Sequence, residues 1–208
     1  MIWNEHLIAR AISLQTLARK CVVLVDNCNW TGHECDVLGV TTDLRIIDVE
    51  VKISRADLKA DAKKDKWWRY LTYGQAADLG LLVDGKRWNP DAHRAPVEHP
   101  RKVWKHYYAM PKDIWKPELI DCLPSKASGV LLLTERNGAI EVFCARRATP
   151  NKDAYRLTSQ NVMDIARLAN LRMWESYRGI ESARQDAAYW RDKATDGGCE
   201  KSDQRRAA

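Results

Sequence analysis

The chain has 208 residues, 45% of them apolar and 30% charged, with a formal net charge of +6 and a pI near 9.0. That is enough for one domain with a sizeable core, or one domain and an appendage, in a water-soluble globular protein. No apolar run approaches the roughly 20 residues of a membrane span, and Met1-Ile2-Trp3-Asn4-Glu5 lacks the basic start and apolar block of a secretory signal. The expected place is therefore the cytoplasm, without a membrane partner.

Taken in chain order, residues 4–20 have helical spacing, with Leu7, Ile8, Ala11, Leu14, Leu17 and Ala18 on one side. Cys21 to Val25 is a short apolar strand that stops at Asp26-Asn27-Cys28-Asn29. Asp36 to Thr41 and Arg45 to Ile53 form a hairpin around Thr42-Asp43. In its second strand Ile47, Val49, Val51 and Ile53 fill one face, and Asp48, Glu50 and Lys52 the other. A polar face of this kind normally meets solvent; here it is expected to be the floor of a site. Ser54 caps a following helix, with Asp57 three residues on, that is expected to reach about Tyr70. Arg55, Lys59, Lys63 and Lys66 share one side of that helix and offer positive charge to a phosphate backbone. Trp67 and Trp68 are expected in packing rather than as stacking platforms.

Residues 73–101 carry Gly74, Gly80, Gly85, Pro90, Pro96 and Pro100 and predict an irregular basic loop, with a short strand at Leu81-Val83. Tyr107 to Met110 is a strand, Pro111 to Leu119 a short helix, and Val130–Leu133 and Ala139–Ala145 a hairpin around Asn137-Gly138. Ser159 to about Lys193 is a long helix. Its first half is expected on the sheet, and its second half is a candidate for pairing with another copy, although Arg184 interrupts that seam. The polar tail from 196 predicts disorder. Six cysteines are scattered along the chain and are expected as free thiols. Cys28, His33 and Cys35 match no paired-cysteine spacing, which argues against structural zinc. His33 is expected to hydrogen-bond locally, and His93, His99 and His106 suggest no role.

Phosphodiester hydrolysis needs an acidified water, neutralised phosphate charge and help for the leaving oxygen, most of which a divalent cation supplies. Magnesium prefers hard oxygen ligands and often takes only one or two carboxylates. Asp36 and Glu50 fit that demand, with the Val51 backbone carbonyl as a third ligand. Lys52 would balance the carboxylates at rest and stabilise charge on the reacting phosphate; lysine, unlike arginine, can also shift its pKa readily.

Glu34-Cys35-Asp36-Val37-Leu38-Gly39, followed by Ile47-Asp48-Val49-Glu50-Val51-Lys52-Ile53-Ser54-Arg55-Ala56-Asp57-Leu58 and Asp61, resembles the PD-(D/E)XK nuclease superfamily. Within it the segment is most similar to the bacterial and phage branch that includes MmcB-like DNA repair proteins. Tyr107 to Pro111, Leu123-Pro124 through Leu132, and Arg146-Arg147-Ala148 extend the likeness over residues 1–175. Cys35 stands where the superfamily's name has proline. The resemblance implies a restriction-endonuclease-like α/β core, a mixed central sheet flanked by helices, here with a long C-terminal helix. It implies catalytic Asp36, Glu50 and Lys52, and Mg2+ or Mn2+ held by Asp36, Glu50, the Val51 carbonyl and Glu5. It implies DNA as the partner, bound along Arg55, Lys59, Lys63 and Lys66, and a role in DNA repair or phage DNA processing. The expected division is a nuclease-like domain over 1–157, a helix over 158–195 and a tail over 196–208. Two other readings are a non-cleaving nucleic-acid-binding protein of the same fold and a phage protein that docks a host factor through its C-terminal helix.

Overall fold

A computed structural model describes residues 2–82 and 93–203, with 195–203 described by backbone alone. Its elements are α1 (Glu5–Ile12), β1 (Cys21–Cys28), β2 (Cys35–Thr41), β3 (Ile46–Val51), α2 (Arg55–Ala60), β4 (Trp68–Tyr70), α3 (Tyr73–Asp78), β5 (Arg94–Pro96), β6 (Val103–Pro111), β7 (Gly129–Arg136), β8 (Ala139–Arg146) and α4 (Ser159–Asp203). Six strands form one mixed sheet in the order β1-β2-β3-β6-β7-β8, and β4 and β5 pair separately. The outer pairs β1-β2, β2-β3 and β7-β8 are antiparallel; β3-β6 and β6-β7 are parallel. The chain is thus an α/β fold with the expected mixed sheet, flanking helices and long C-terminal helix.

Alternation along the strands sorts two cores. Ile8 and Ile12 of α1 pack with Val37, Val49, Val51, Ala109 and Leu131 on one face. Leu58 and Trp67 pack with Tyr108, Met110, Val130 and Leu132 on the other. Burying each of these large side chains is worth about 1.5–3 kcal/mol. Asn4 caps α1 by accepting from the Leu7 N–H at 2.8 Å. The helical stretch expected over 4–20 is realised as α1 followed by a π-helical turn at Ser13–Leu17. The Asn137-Gly138 turn has positive φ at both residues, 52° and 76°, the geometry a two-residue hairpin requires.

Several expected boundaries move. The helix after Ser54 stops at Ala60 rather than about Tyr70, and two 3-10 turns, Asp61–Lys63 and Asp65–Trp67, replace its continuation before β4. The cause is Asp61: its carboxylate turns inward to accept from the Trp67 indole at 2.9 Å and the Tyr108 hydroxyl at 2.6 Å. Pro111 to Leu119 is not a regular helix; a 3-10 segment follows at Pro117–Cys122. The 73–101 segment contains α3, capped by Thr72 and Gln75, and strand β5. Residues 83–92 of the segment lie outside the described residues, and with them Val83 of the expected Leu81-Val83 strand.

The chain divides into two compact units, the first ending at Ala166 and the second beginning at Arg167. The Thr158 hydroxyl accepts from the Asn161 N–H at 3.2 Å and caps α4. Only the first turns of α4 belong to the sheet-bearing unit, where Ile165 is buried. α4 continues through Asp203, past the break expected at 196, and 204–208 lie outside the described residues. Within the second unit Trp174 stacks edge-on to Tyr177, and Tyr189 to Trp190. Among the described residues, no helix is long and apolar enough to cross a membrane.

Candidate functional site

The hairpin delivers Asp36 and Glu50 together. Val37 pairs with Val49 and Leu38 with Asp48, so one step further Asp36 stands opposite Glu50. There a side chain takes over from the ladder: Asp36 Oδ2 accepts the Val51 N–H at 2.6 Å. In extended backbone the N–H and C=O of one residue leave on the same side of the strand, so the Val51 carbonyl also leaves toward Asp36. The neighbouring Lys52 N–H points the other way, to the Ala109 carbonyl on β6, at 2.9 Å. Asp36 is half-buried, and its carboxyl is pushed up to about 6, first by burial and then by the negative charge of Glu50. The same carboxylate lines a cleft of about 140 Å³ with Glu5, His6, Ala9, Asp26 and Asn27. The first-helix acid expected beside Asp36 is therefore there. Asp26 joins it from β1, with no signal in the sequence beyond its place at the end of an apolar run.

The polar face of β3 is a floor, but a roofed one. Asp48, Glu50 and Lys52 are each no more than 2% exposed beneath the segment 55–67. Three ammonium groups converge on Glu50: Lys52 at 3.2 Å and Lys64 at 3.0 Å on Oε2, and Lys66 on Oε1. Lys52 and Lys64 each also reach Asp61 Oδ1 at 3.2 Å, and Lys52 reaches Asp57 at 3.5 Å. Burial alone would raise both carboxyls, but the lysines outweigh it and hold Glu50 and Asp61 below the usual carboxylate range. Burial would lower Lys52, but Asp61 and Glu50 outweigh it and hold the ammonium above its usual value. Lys52 therefore stays charged.

Asp48, on the same strand face as Lys52, pairs with histidines instead. Its Oδ2 lies 3.2 Å from His33 Nε2 and 3.8 Å from His106 Nε2. Burial opposes its charge, while Lys66, the His33 hydrogen bond and His106 hold its carboxyl at about 2. His106 is buried against Trp67 and Tyr108, with Nδ1 3.0 Å from Ser128 Oγ. Burial, then Lys66, pushes its imidazole down to about 4.

The basic stripe does not survive as expected. Lys66, with a side chain 1% exposed, belongs to the buried network and not to a phosphate-binding surface. The 3-10 turns rotate it inward, whereas a continued helix would have kept it with Lys59 and Lys63. Arg55 spends its donors on the Ile114 and Asp113 carbonyls, at 2.8 and 3.0 Å. Lys59 and Lys63 remain exposed. Lys64, half-exposed and bridging Glu50 to Asp61, is a site residue that spacing did not single out. Trp67 is in the core as expected, and its indole N–H helps fix Asp61.

No family model matches the chain, and no curated protein matches it. Among solved structures the chain is similar to SPO1766, a protein of unknown function from Silicibacter pomeroyi. The two share 16% identity over 87% of this chain and 94% of that one, with a TM-score of 0.49, too distant a likeness to say what either protein does.

Proposed function

We propose that the protein is a metal-dependent nuclease that hydrolyses phosphodiester bonds in DNA, in repair or in phage or bacterial DNA processing. The observation that carries this reading is the junction of β2 and β3. An acid from one strand is bonded to the backbone between an acid and a lysine of the next, at the point where an antiparallel hairpin meets a parallel strand. The order helix, three strands, helix, strand is the one the PD-(D/E)XK resemblance implies.

Mg2+ or Mn2+ fits the residues present. Asp36 has a raised carboxyl pKa that a cation would relieve, and Glu5, Asp26 and the Val51 carbonyl offer hard oxygens on the same side. Asp36 and the Val51 carbonyl would hold the ion, with Glu5 and Glu50 completing the set. The ion supplies Lewis acidity and a more acidic water. Lys52, held charged by Asp61 and Glu50, stabilises negative charge on the phosphate oxygens rather than acting as a base. Lys64 is the group able to move, because it alone among the lysines on Glu50 is half-exposed; its withdrawal leaves Lys52 as the remaining ammonium on Glu50 Oε2. Lys59 and Lys63 contact the backbone of the nucleic acid. The cytoplasm is where such a protein meets DNA.

Incubating the purified chain with labelled duplex, branched and single-stranded DNA and with RNA, in Mg2+ or Mn2+, tests the reading. Asp36→Asn keeps an acceptor for the Val51 N–H, so it should fold and bind DNA yet lose cleavage by at least 100-fold. Absence of wild-type cleavage on every substrate refutes the enzyme. One observation favours a second reading, a non-cleaving DNA-binding protein: both Glu50 oxygens are already taken by lysines. DNA binding without cleavage, unchanged by Asp36→Asn, is the outcome that reading requires.

A further inference from the structure

We infer that His33, Cys35 and Asp48 form a second cation site, for a divalent transition metal of the zinc class, apart from the carboxylate cleft at Asp36. One ligand atom from each of the three lies within 4.8 Å of the others, and His33 Nε2 and Asp48 Oδ2 are 3.2 Å apart. Tetrahedral zinc, with bonds of about 2.0 Å to nitrogen or oxygen and 2.3 Å to sulfur, holds its ligand atoms roughly 3.3–3.6 Å from one another. Closing the set thus takes a shift of about an ångström.

An independent observation points to a missing ligand. Asp48 is fully buried, and its Oδ1 has no hydrogen-bond partner beyond what the Cys35 thiol, which interacts with the Asp48 carboxylate, can offer. Buried carboxylate oxygens are almost always satisfied, and an orphan calls for an explanation. A cation supplies one. Ionisation of the thiol offsets half of the divalent charge, so loading adds one net positive charge to a network in which Asp48 already balances a lysine; carboxylate and thiolate face the ion directly, and the imidazole adds a neutral ligand. Without metal the Cys35 thiol keeps its proton, because burial and then Asp48 oppose the thiolate. On binding, the S–H bond breaks, the S–metal bond forms and the proton leaves to solvent; no electron is transferred.

The site is reachable and selective. His33 sits on the β1–β2 connection with a side chain 13% exposed, which gives an ion a way in. Thr31 steadies that connection by donating to the His33 carbonyl at 2.9 Å, with its hydroxyl 3.5 Å from Cys35 Sγ. Three protein ligands leave the fourth position to water. Thiolate and imidazole disfavour magnesium, which selects hard oxygens, so the two sites do not compete for one ion. The spacing of Cys28, His33 and Cys35 argued against zinc because the third ligand is on another strand: the hairpin register brings Asp48 from β3. A bound metal would pin the loop that leads directly into Asp36.

The full chain, stripped with a chelator, is titrated with Zn2+ against a chromophoric competitor and separately with Co2+. The expected result is one zinc per chain, not displaced by millimolar Mg2+, and a cobalt adduct with a thiolate-to-metal charge-transfer band. His33→Ala and Cys35→Ser should each weaken zinc at least tenfold, and Cys35→Ser should abolish the band. Asp36→Asn should leave both readouts unchanged. His33→Ala changes a partly exposed loop residue, so it keeps the test open if Cys35→Ser does not fold. No stoichiometric zinc, wild-type affinity in His33→Ala and Cys35→Ser, or loss of the band in Asp36→Asn overturns the inference. None of these readouts uses DNA cleavage, so this inference and the nuclease reading fail separately.

Discussion

Replacing Lys66 by methionine probes whether the buried network, rather than a nucleic-acid surface, is what that lysine serves. Asp48, Glu50 and Asp61 are charge-balanced by Lys52, Lys64 and Lys66, and both Glu50 and the Lys66 side chain are 1% exposed. Removing one member of a buried ion pair typically costs about 3–5 kcal/mol, because the other charge is left behind. Glu50 keeps Lys52 and Lys64, so Lys66→Met is expected near the lower end, about 3 kcal/mol, and Glu50→Gln at a similar value for the reverse reason. In the double variant the charges balance again, and its cost should stay at about 3 kcal/mol rather than the additive sum. The coupling of about 3 kcal/mol is at the upper end for residues in contact. Urea unfolding with linear extrapolation measures all three, provided the slope is unchanged. Single-variant costs under about 1 kcal/mol, or additive costs in the double variant, refute the network as described.

Stability should fall on acidification through His106. Its imidazole, ordinarily near 6.5, is pushed down to about 4 in the fold, so the native state excludes a proton that the unfolded chain accepts. The associated stability is present above pH 6.5 and is lost as the pH falls toward 4, by at most about 3 kcal/mol; urea midpoints at neutral and acid pH should converge in His106→Asn, and an unchanged pH slope in that variant refutes the assignment. If DNA binds across α2, Lys59→Ala and Lys63→Ala should each reduce the salt slope of binding by about 0.9, read by fluorescence anisotropy at several salt concentrations, with wild-type slopes in both locating the DNA elsewhere. Gly129→Ala should destabilise by about 1–3 kcal/mol, because a Cβ there would meet the Tyr107 ring and come within 2.7 Å of the Ala148 backbone nitrogen; an unchanged thermal melt would refute that close approach.

Features that repeat at short range were legible from the residues alone. Alternation in β3 separated Val49 and Val51 from Glu50 and Lys52, Asn137-Gly138 placed the β7–β8 turn, and Ser54 began α2. The 3.6-residue and 2-residue periods are properties of the local backbone, so they can be read without knowing what packs against them. The register Val37↔Val49 followed from the hairpin and set Asp36 opposite Glu50. Tertiary structure alone decided where α2 ends and what its basic residues do. Asp61 gains more from Trp67, Tyr108 and the lysines than from another turn of helix, and its inward swing carries Lys66 from the surface into the core. It alone also joined His33 to Asp48, fifteen positions away, and Lys66 to His106, forty positions away. Charged groups gain most from partners that only the folded chain brings near, because attraction grows as water is excluded, and no period in the sequence records which distant group will be there.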